Sequence, residues 1–247
     1  MKTIFISLVI VSSFLLSSCK NATYNVGPGS ENKIEGNGKV TKEDRKVTNF
    51  NSLELNGVFN IILEQGRESV FVETDENLQE MIVVEVVDNV LKVHMKDSST
   101  FSRMTKMNVY VTFNDISKLE TESVGTLKCN SKLHLKNLEL KVQGVGNTSL
   151  DLEAERLKVK AEIVGNLMLN GKVMEANIEH DGLGGIQAFG LETELMVLKT
   201  SGVGSSEVNA TKELHVNASG VGLVKYKGNP AKKEISNTGI GKIISVD

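Results

Sequence analysis

The chain has 247 residues, of which 40% are hydrophobic and 24% are charged, a composition typical of a folded protein rather than a disordered chain. Its 28 basic and 31 acidic side chains give a formal net charge of −3, which argues against a nucleic-acid-binding protein that depends on phosphate contacts. The 22 glycines, only 3 tyrosines and no tryptophan favour a regular β-structure with many turns over an enzyme with a deep pocket.

The N-terminus carries a targeting pattern. Lys2 precedes an apolar run from Ile4 to Leu16, and small residues lie before Cys19. This pattern predicts a signal peptide over residues 1–18, because a transmembrane helix needs about 20 apolar residues. Leu16-Ser17-Ser18-Cys19 resembles the bacterial lipobox, which implies cleavage and acylation at Cys19. The polar, glycine-rich residues 19–45 are then predicted to be a flexible tether, followed by one domain over residues 46–247.

Residues 46–118 contain five stretches with strand-like composition, and we expect them to cap one end of the fold. Asp88-Asn89 joins two of these stretches as a candidate tight hairpin turn. The predicted strands are Ser52–Leu63, Ser69–Thr74, Met81–Val87, Val90–Met95 and Met107–Phe113.

A repeat of about 19 residues follows and decides the predicted fold. A tetrad ending in glycine recurs seven times, with successive glycines 18 to 21 residues apart. These repeat glycines are Gly125, Gly146, Gly165, Gly184, Gly204, Gly222 and Gly241. Such a repeat is too short for a helix-containing unit, but it suits one coil of a parallel β-helix with a glycine corner. Glycine at a corner permits positive φ or a close approach of the next coil, so Gly204→Val should destabilise the array.

Two columns of this repeat contain only aliphatic residues. The column one residue before the glycine runs from Val124 to Ile240, and the column six residues before it runs from Leu119 to Ile235. Because side chains alternate with period two between them, we expect strands with one buried face and internal aliphatic ladders. The last coil lacks an evident cap, which predicts an exposed strand edge there and a possible homo-oligomer through it.

Four stretches resemble the auto-transporter adhesin head GIN domain family, which is common in secreted and lipoprotein chains of Bacteroidota. They are Phe50–Gly66, Val70–Leu78, Met107–Phe113 and the Gly-Val-Gly repeats, so that the resemblance covers residues 46–246. It implies an all-β fold, a right-handed parallel β-helix whose coils of about 19 residues follow an N-terminal β cap. The family provides no active site to transfer.

The column three residues before the glycine contains the strongest candidate for a metal site. Glu162 and Asp181 fall on adjacent coils, about 4.8 Å apart, where two carboxylates could recruit Ca²⁺. Alternatively, this polar column starts the corner and faces water, and we prefer that interpretation. The histidines from residue 119 onward, His134, His180 and His215, fall in different columns and therefore predict no stacked metal site. Cys129 has no cysteine partner in the mature chain and is expected to be a buried structural residue.

The columns five and seven residues before each repeat glycine point outward. They carry mostly alternating charges, which predicts ion pairs between neighbouring coils. The array contains one arginine, Arg156, and two aromatic residues, Phe189 and Tyr226, which is poor equipment for a polysaccharide lyase. We therefore expect a non-enzymatic outer-membrane lipoprotein without a cofactor, on the periplasmic face or the cell surface. Its partner is a membrane through the lipid, and a protein or a glycan through a strand face. Two alternatives remain open: a polysaccharide-active enzyme dependent on Ca²⁺, and a periplasmic partner of an envelope-stress regulator.

Overall fold

The structure is a computed structural model that describes residues 34–96 and 101–246. The predicted signal peptide, the acylation site Cys19 and the first part of the predicted tether lie outside the described residues. The described residues form nineteen strands and one 3₁₀ helix, Glu76–Met81. The strands are β1 (Ile34–Glu35), β2 (Val40–Arg45), β3 (Ser52–Gly57), β4 (Asn60–Gln65), β5 (Ser69–Asp75), β6 (Ile82–Val87), β7 (Val90–Met95), β8 (Phe101–Ser102), β9 (Met107–Phe113), β10 (Lys118–Val124), β11 (Leu127–Cys129), β12 (Leu133–His134), β13 (Asn137–Val145), β14 (Thr148–His180), β15 (Leu183–Thr200), β16 (Val203–Ala218), β17 (Val221–Lys227), β18 (Lys232–Asn237) and β19 (Ile240–Ser245).

Residues 118–245 form a parallel β-solenoid. Each coil pairs in register with the next, as in Leu119 with Leu140, Leu140 with Val159, and Leu198 with Val216. β14 and β15 are long because each continues around corners of the solenoid into the next coil. These paired residues belong to the column six residues before each repeat glycine, and their side chains are at most 3% exposed from Leu119 to Val216. They form one buried column of the core, which we call the inner ladder. The predicted solenoid with coils of about 19 residues is confirmed.

The repeat glycines stack directly on one another at one corner. Gly204 has φ of +150°, and a Cβ atom added to it would lie 1.5 Å from the carbonyl oxygen of Gly184. Gly184 in turn would place a Cβ atom 1.8 Å from the carbonyl oxygen of Gly165. Any side chain at this corner would therefore collide with the backbone of the preceding coil, in addition to the cost of its positive φ.

The N-terminal region contains solenoid coils as well as a cap, whereas the sequence indicated only one early, degenerate coil corner, at Asn56-Gly57-Val58. β3 and β4 pair in parallel with β10 and β11, so residues 52–65 form a coil of the array. On the other side, β7 pairs in parallel with β3, and β9 pairs in parallel with β4. The cap is limited to β2, β5 and β6, which pair antiparallel with their neighbours. The hairpin at Asp88-Asn89 is confirmed, with φ of +51° and +62° at the two turn residues.

The predicted boundary between tether and domain at residue 45 is wrong for residues 34–45. β1 pairs with β8, and β2 adds to the cap sheet beside β5. The fully buried Asp75 holds this segment, because its carboxylate accepts hydrogen bonds from the backbone N–H of Gly38 (2.8 Å) and Thr105 (2.8 Å). Burial raises the pKa of Asp75, but these hydrogen bonds outweigh it and hold the pKa below its usual value. The glycine-rich composition concealed a segment whose order comes from distant partners.

The last described coil, β18 and β19, has exposed side chains, as predicted for this end. Ile235 continues the inner ladder but is 44% exposed, whereas its neighbour Val216 is 3% exposed. Lys233 lies in register with the buried Leu214 and places a charge in a column that is apolar elsewhere. An inward-pointing charge on an edge strand opposes pairing with another strand edge. This position therefore weighs against the predicted homo-oligomer through the C-terminal coil.

Candidate functional site

The outward columns form a solvated, charge-paired surface. Ion pairs link neighbouring coils, including Lys158 with Glu139 (2.9 Å) and Lys199 with Glu179 (2.9 Å), and His215 Nδ1 lies within hydrogen-bond distance of Glu234 Oε2 (2.9 Å). The predicted alternation of charges between coils is confirmed. Because these side chains are largely exposed, solvent screens the pairs and each contributes little to stability. This face is therefore not a charged substrate cradle.

The acidic pair Glu162 and Asp181 does not resemble a metal centre. The Glu162 carboxylate accepts hydrogen bonds from Lys160 Nζ (2.6 Å) and from Gln143 Nε2 (2.7 Å). These contacts, first that of Lys160, hold the pKa of Glu162 below its usual value, whereas crowding by a second carboxylate would raise it. In residues 34–96 and 101–246, no group of three or more His, Cys, Asp or Glu side chains is placed to hold a metal ion. The compensated charge of Glu162 weakens the Ca²⁺ hypothesis.

The three histidines of the array are separated, as their columns predicted. His134 is exposed beside Glu153, His215 lies between Glu213 and Glu234, and His180 is buried in the core. Cys129 is half-buried, and its Sγ accepts a hydrogen bond from the backbone N–H of Asp151 (3.2 Å). Burial raises the pKa of the Cys129 thiol, which disfavours the reactive thiolate.

His180 is a buried polar side chain without hydrogen-bond partners. It is 3% exposed, and neither of its ring nitrogens has a hydrogen-bond partner. It lies in register with Thr200, in a column that is otherwise filled mainly by small or aliphatic residues such as Ala161 and Ala218. Burial lowers the pKa of His180, although the nearby Asp181 acts in the opposite direction. The imidazole is therefore neutral in the folded protein at neutral pH.

We expect His180 to make the folded state sensitive to acid. As the pH falls from 7.5 to 5, the unfolded chain protonates this residue before the folded chain does, so the free energy of unfolding decreases. His180→Leu removes this contribution and should flatten that part of the pH profile. Urea unfolding of both proteins at pH 7.5, 6 and 5 measures the difference, with His134→Gln as the exposed control. An equal loss of stability in wild type and His180→Leu between pH 7.5 and 5 would contradict this assignment.

The column one residue before each repeat glycine is exposed, and the prediction that it forms an internal ladder is wrong. Exposed fractions are 52% at Val124, 48% at Val164, 50% at Val203 and 76% at Ile240. We call the whole column the aliphatic ladder; it consists of Val58, Val124, Val145, Val164, Leu183, Val203, Val221 and Ile240, each at least 40% exposed. Val58 belongs to it because the preceding Gly57 pairs with Ser123.

The aliphatic ladder is a narrow apolar stripe along the whole solenoid. Eight rungs at the strand spacing of about 4.8 Å give it a length of about 34 Å. The repeat glycines flank it on one side, and on the other side glycines such as Gly144, Gly182 and Gly202 occupy most rungs.

No helix among the described residues is long and apolar enough to cross a membrane.

Mostly polar residues line both edges of this stripe. The acidic edge is the column of Glu122, Gln143, Glu162, Asp181, Ser201, Ser219 and Thr238. The amide edge, one residue after each repeat glycine, is the column of Thr126, Asn147, Asn166, Gly185, Ser205, Leu223 and Lys242. Asn147 Oδ1 accepts a hydrogen bond from the backbone N–H of Asn166 (3.0 Å), so successive coils are linked along the amide edge. An exposed apolar patch with a polar rim is typical of an interaction surface.

Comparison with solved structures gives the same architecture. The chain is similar to a "putative adhesin" from Bacteroides fragilis, with 27% identity over 86% of this chain and 100% of that chain and a TM-score of 0.80. It is also similar to a "putative lipid binding protein" from Parabacteroides distasonis (22% identity, 87% and 100% of the chains, TM-score 0.69). A third similar structure is a "putative adhesin" from Parabacteroides merdae (23% identity, 87% and 99%, TM-score 0.61). At these lower identities the last two show the fold alone.

No match is found among curated proteins. The family profile described as "Putative auto-transporter adhesin, head GIN domain" matches residues 49–230, which cover most of the solenoid and its cap. With this match and the shared β-solenoid, the chain belongs to the auto-transporter adhesin head GIN domain family.

Proposed function

We propose that this protein is a non-enzymatic, lipid-anchored binding protein of the bacterial cell envelope, and that it binds its partner through the aliphatic ladder. The observation that carries the proposal is the exposure of all eight ladder residues along one line of the solenoid. Exposing so many aliphatic side chains in water is unfavourable unless a partner covers them. The family's adhesin description agrees with a binding role.

The architecture suits a binding scaffold. The inner ladder and the stacked glycine corner tie each coil to its neighbours, so the exposed rungs keep a fixed spacing. A surface that is already ordered loses little conformational entropy when a partner docks on it. The partner in this proposal is a protein or a glycan, and the proposal needs no cofactor or catalytic residue.

The anchor is tested by Cys19→Ala, which removes the acylated sulfur. Two or more acyl chains bind a bilayer stably, because each buried methylene contributes about 0.8 kcal/mol. We expect the wild-type chain in the membrane fraction and most of the Cys19→Ala chain in the soluble fraction, as measured by immunoblot of fractionated cells. Cys129→Ser is the matched control and should leave the distribution unchanged. Equal membrane association of wild type and Cys19→Ala would contradict lipid anchoring.

The side of the membrane is tested by protease treatment of intact cells that carry a C-terminally tagged copy. Digestion on intact cells places the domain on the surface, where adhesion is the binding role. Digestion only after lysis places it in the periplasm and favours an envelope scaffold or the regulator-partner alternative. The enzyme alternative predicts Ca²⁺ binding by calorimetry that is lost in Glu162→Gln/Asp181→Asn, and the contacts of Glu162 with Lys160 and Gln143 do not favour it.

A further inference from the structure

The spacing of the aliphatic ladder restricts what can cover it. Its rungs recur at the strand spacing of about 4.8 Å over about 34 Å, so a partner with the same repeat contacts every rung in the same way. The chain itself carries such a repeat. We propose that the ladder is covered by a second copy of this chain, aligned in the same direction about a two-fold axis parallel to the solenoid.

The surface relief of the ladder suits this arrangement. Each aliphatic side chain stands between two rows that are mostly glycine, such as Gly202 and Gly204 beside Val203. A small lateral offset between the copies places each rung over the glycine row of the same coil in the second copy. Because the glycine rows present only backbone, each aliphatic side chain packs directly against the backbone of the second copy, without rearrangement of either copy.

The two polar edges decide the relative direction of the copies. With the axis parallel to the solenoid, the acidic edge of one copy runs beside the amide edge of the other on the same rung, shifted by about one column through the lateral offset. Glu162 then lies near Asn166, and Gln143 near Asn147, so acceptors lie close to amide donors. With antiparallel copies and all eight rungs overlapped, each acidic edge would face itself and set Glu162 against Asp181 of the second copy. That like-charge contact disfavours the antiparallel arrangement.

The contact area predicts a weak dimer in solution that a membrane strengthens. Five columns, from the acidic to the amide edge, span about 13 Å at the strand rise of about 3.3 Å per residue. A stripe of about 34 by 13 Å on each copy buries about 900 Å² in total, below the 1,200 Å² of stable complexes. Here the inference rests on the proposed anchor: tethering raises the effective concentration, and copies in the same direction present their N-terminal ends to one membrane.

The experiment is disulfide crosslinking in cells that express the full chain with a single substitution: Val124→Cys, Val164→Cys or Val203→Cys. Mild oxidation is followed by a non-reducing gel. In the proposed dimer each introduced cysteine lies beside the same cysteine of the second copy, so all three variants should form a disulfide-linked dimer. Val87→Cys, at an exposed cap position (42%), is the matched control and should remain monomeric, as should wild type with its half-buried Cys129.

Each outcome decides the proposal. Crosslinking of all three ladder variants, abolished in each when Val145→Asp is added, supports it. Crosslinking of Val164→Cys alone overturns it in favour of antiparallel copies, because Val124 would then lie about 24 Å from its counterpart. Crosslinking of none overturns it and leaves a different partner on the ladder. Fractionation of Cys19→Ala reads only the anchor, so failure of the proposed lipid anchoring is distinguished from failure of the proposed dimer.

Discussion

Gly204→Val is expected to unfold the C-terminal coils of the solenoid. A Cβ atom at this position would lie 1.5 Å from the carbonyl oxygen of Gly184, and φ of +150° is strained for any residue with a side chain. Because neither backbone can move without displacing the coils stacked on it, we expect a loss of at least about 4 kcal/mol in the free energy of unfolding. Thermal melting followed by circular dichroism measures this loss.

Two further variants separate the corner effect from a general effect of glycine replacement. Gly204→Ala adds only the colliding Cβ atom and should already be severely destabilised. Gly66→Ala is the control: its Cβ atom would meet only a methyl group of Thr112 at 3.3 Å, outside positive φ. We expect the control to change stability by less than about 1 kcal/mol. A melting temperature of Gly204→Ala close to that of Gly66→Ala would contradict the stacked corner.

Leu198→Ala and Val203→Ala are expected to differ sharply, although both positions belong to aliphatic columns of the same coil. Leu198 is fully buried in the inner ladder, so its truncation leaves a cavity and should cost about 2–5 kcal/mol. Val203 is 50% exposed, and its truncation should cost less than about 0.5 kcal/mol. Urea unfolding at a protein concentration low enough to keep the chain monomeric measures both. Equal losses would show that the aliphatic ladder is buried within one chain.

The sequence predicted the solenoid well because its periodicity reports directly on packing. Every coil repeats the same buried aliphatic position from Leu119 to Val216, and the corners from Gly125 to Gly241 all carry glycine for the same steric reason. The columns of alternating charge were also predicted correctly, because like charges on neighbouring strands repel and opposite charges attract. The turn residues Asp88-Asn89 were also sufficient to predict the hairpin between β6 and β7.

The sequence prediction placed the exposed aliphatic ladder inside the solenoid, although the pattern contained the information to place it outside. The two aliphatic columns are five residues apart, an odd number, so period-two alternation places them on opposite faces of the strand. Aliphatic character alone suggested burial for Val124 and Val203, whereas the alternation required exposure. By contrast, the order of residues 34–45 depends on Asp75 and β5, whose contacts with this segment span 25 to 37 residues of sequence. No local pattern could reveal those partners.

The order of coils in space has a consequence for how the chain folds. The coil of residues 52–65 lies between strands from residues 90–113 and residues 118–129, so chain order and stacking order differ there. This coil cannot gain both neighbours until the 64 further residues 66–129 have been made or exported. The early coils and the cap therefore form a slow, all-or-none nucleus of long-range contacts, and the later coils add to it one by one. Mechanical pulling from the C-terminus should peel single coils at low force, whereas the N-terminal block should resist and then yield in one step.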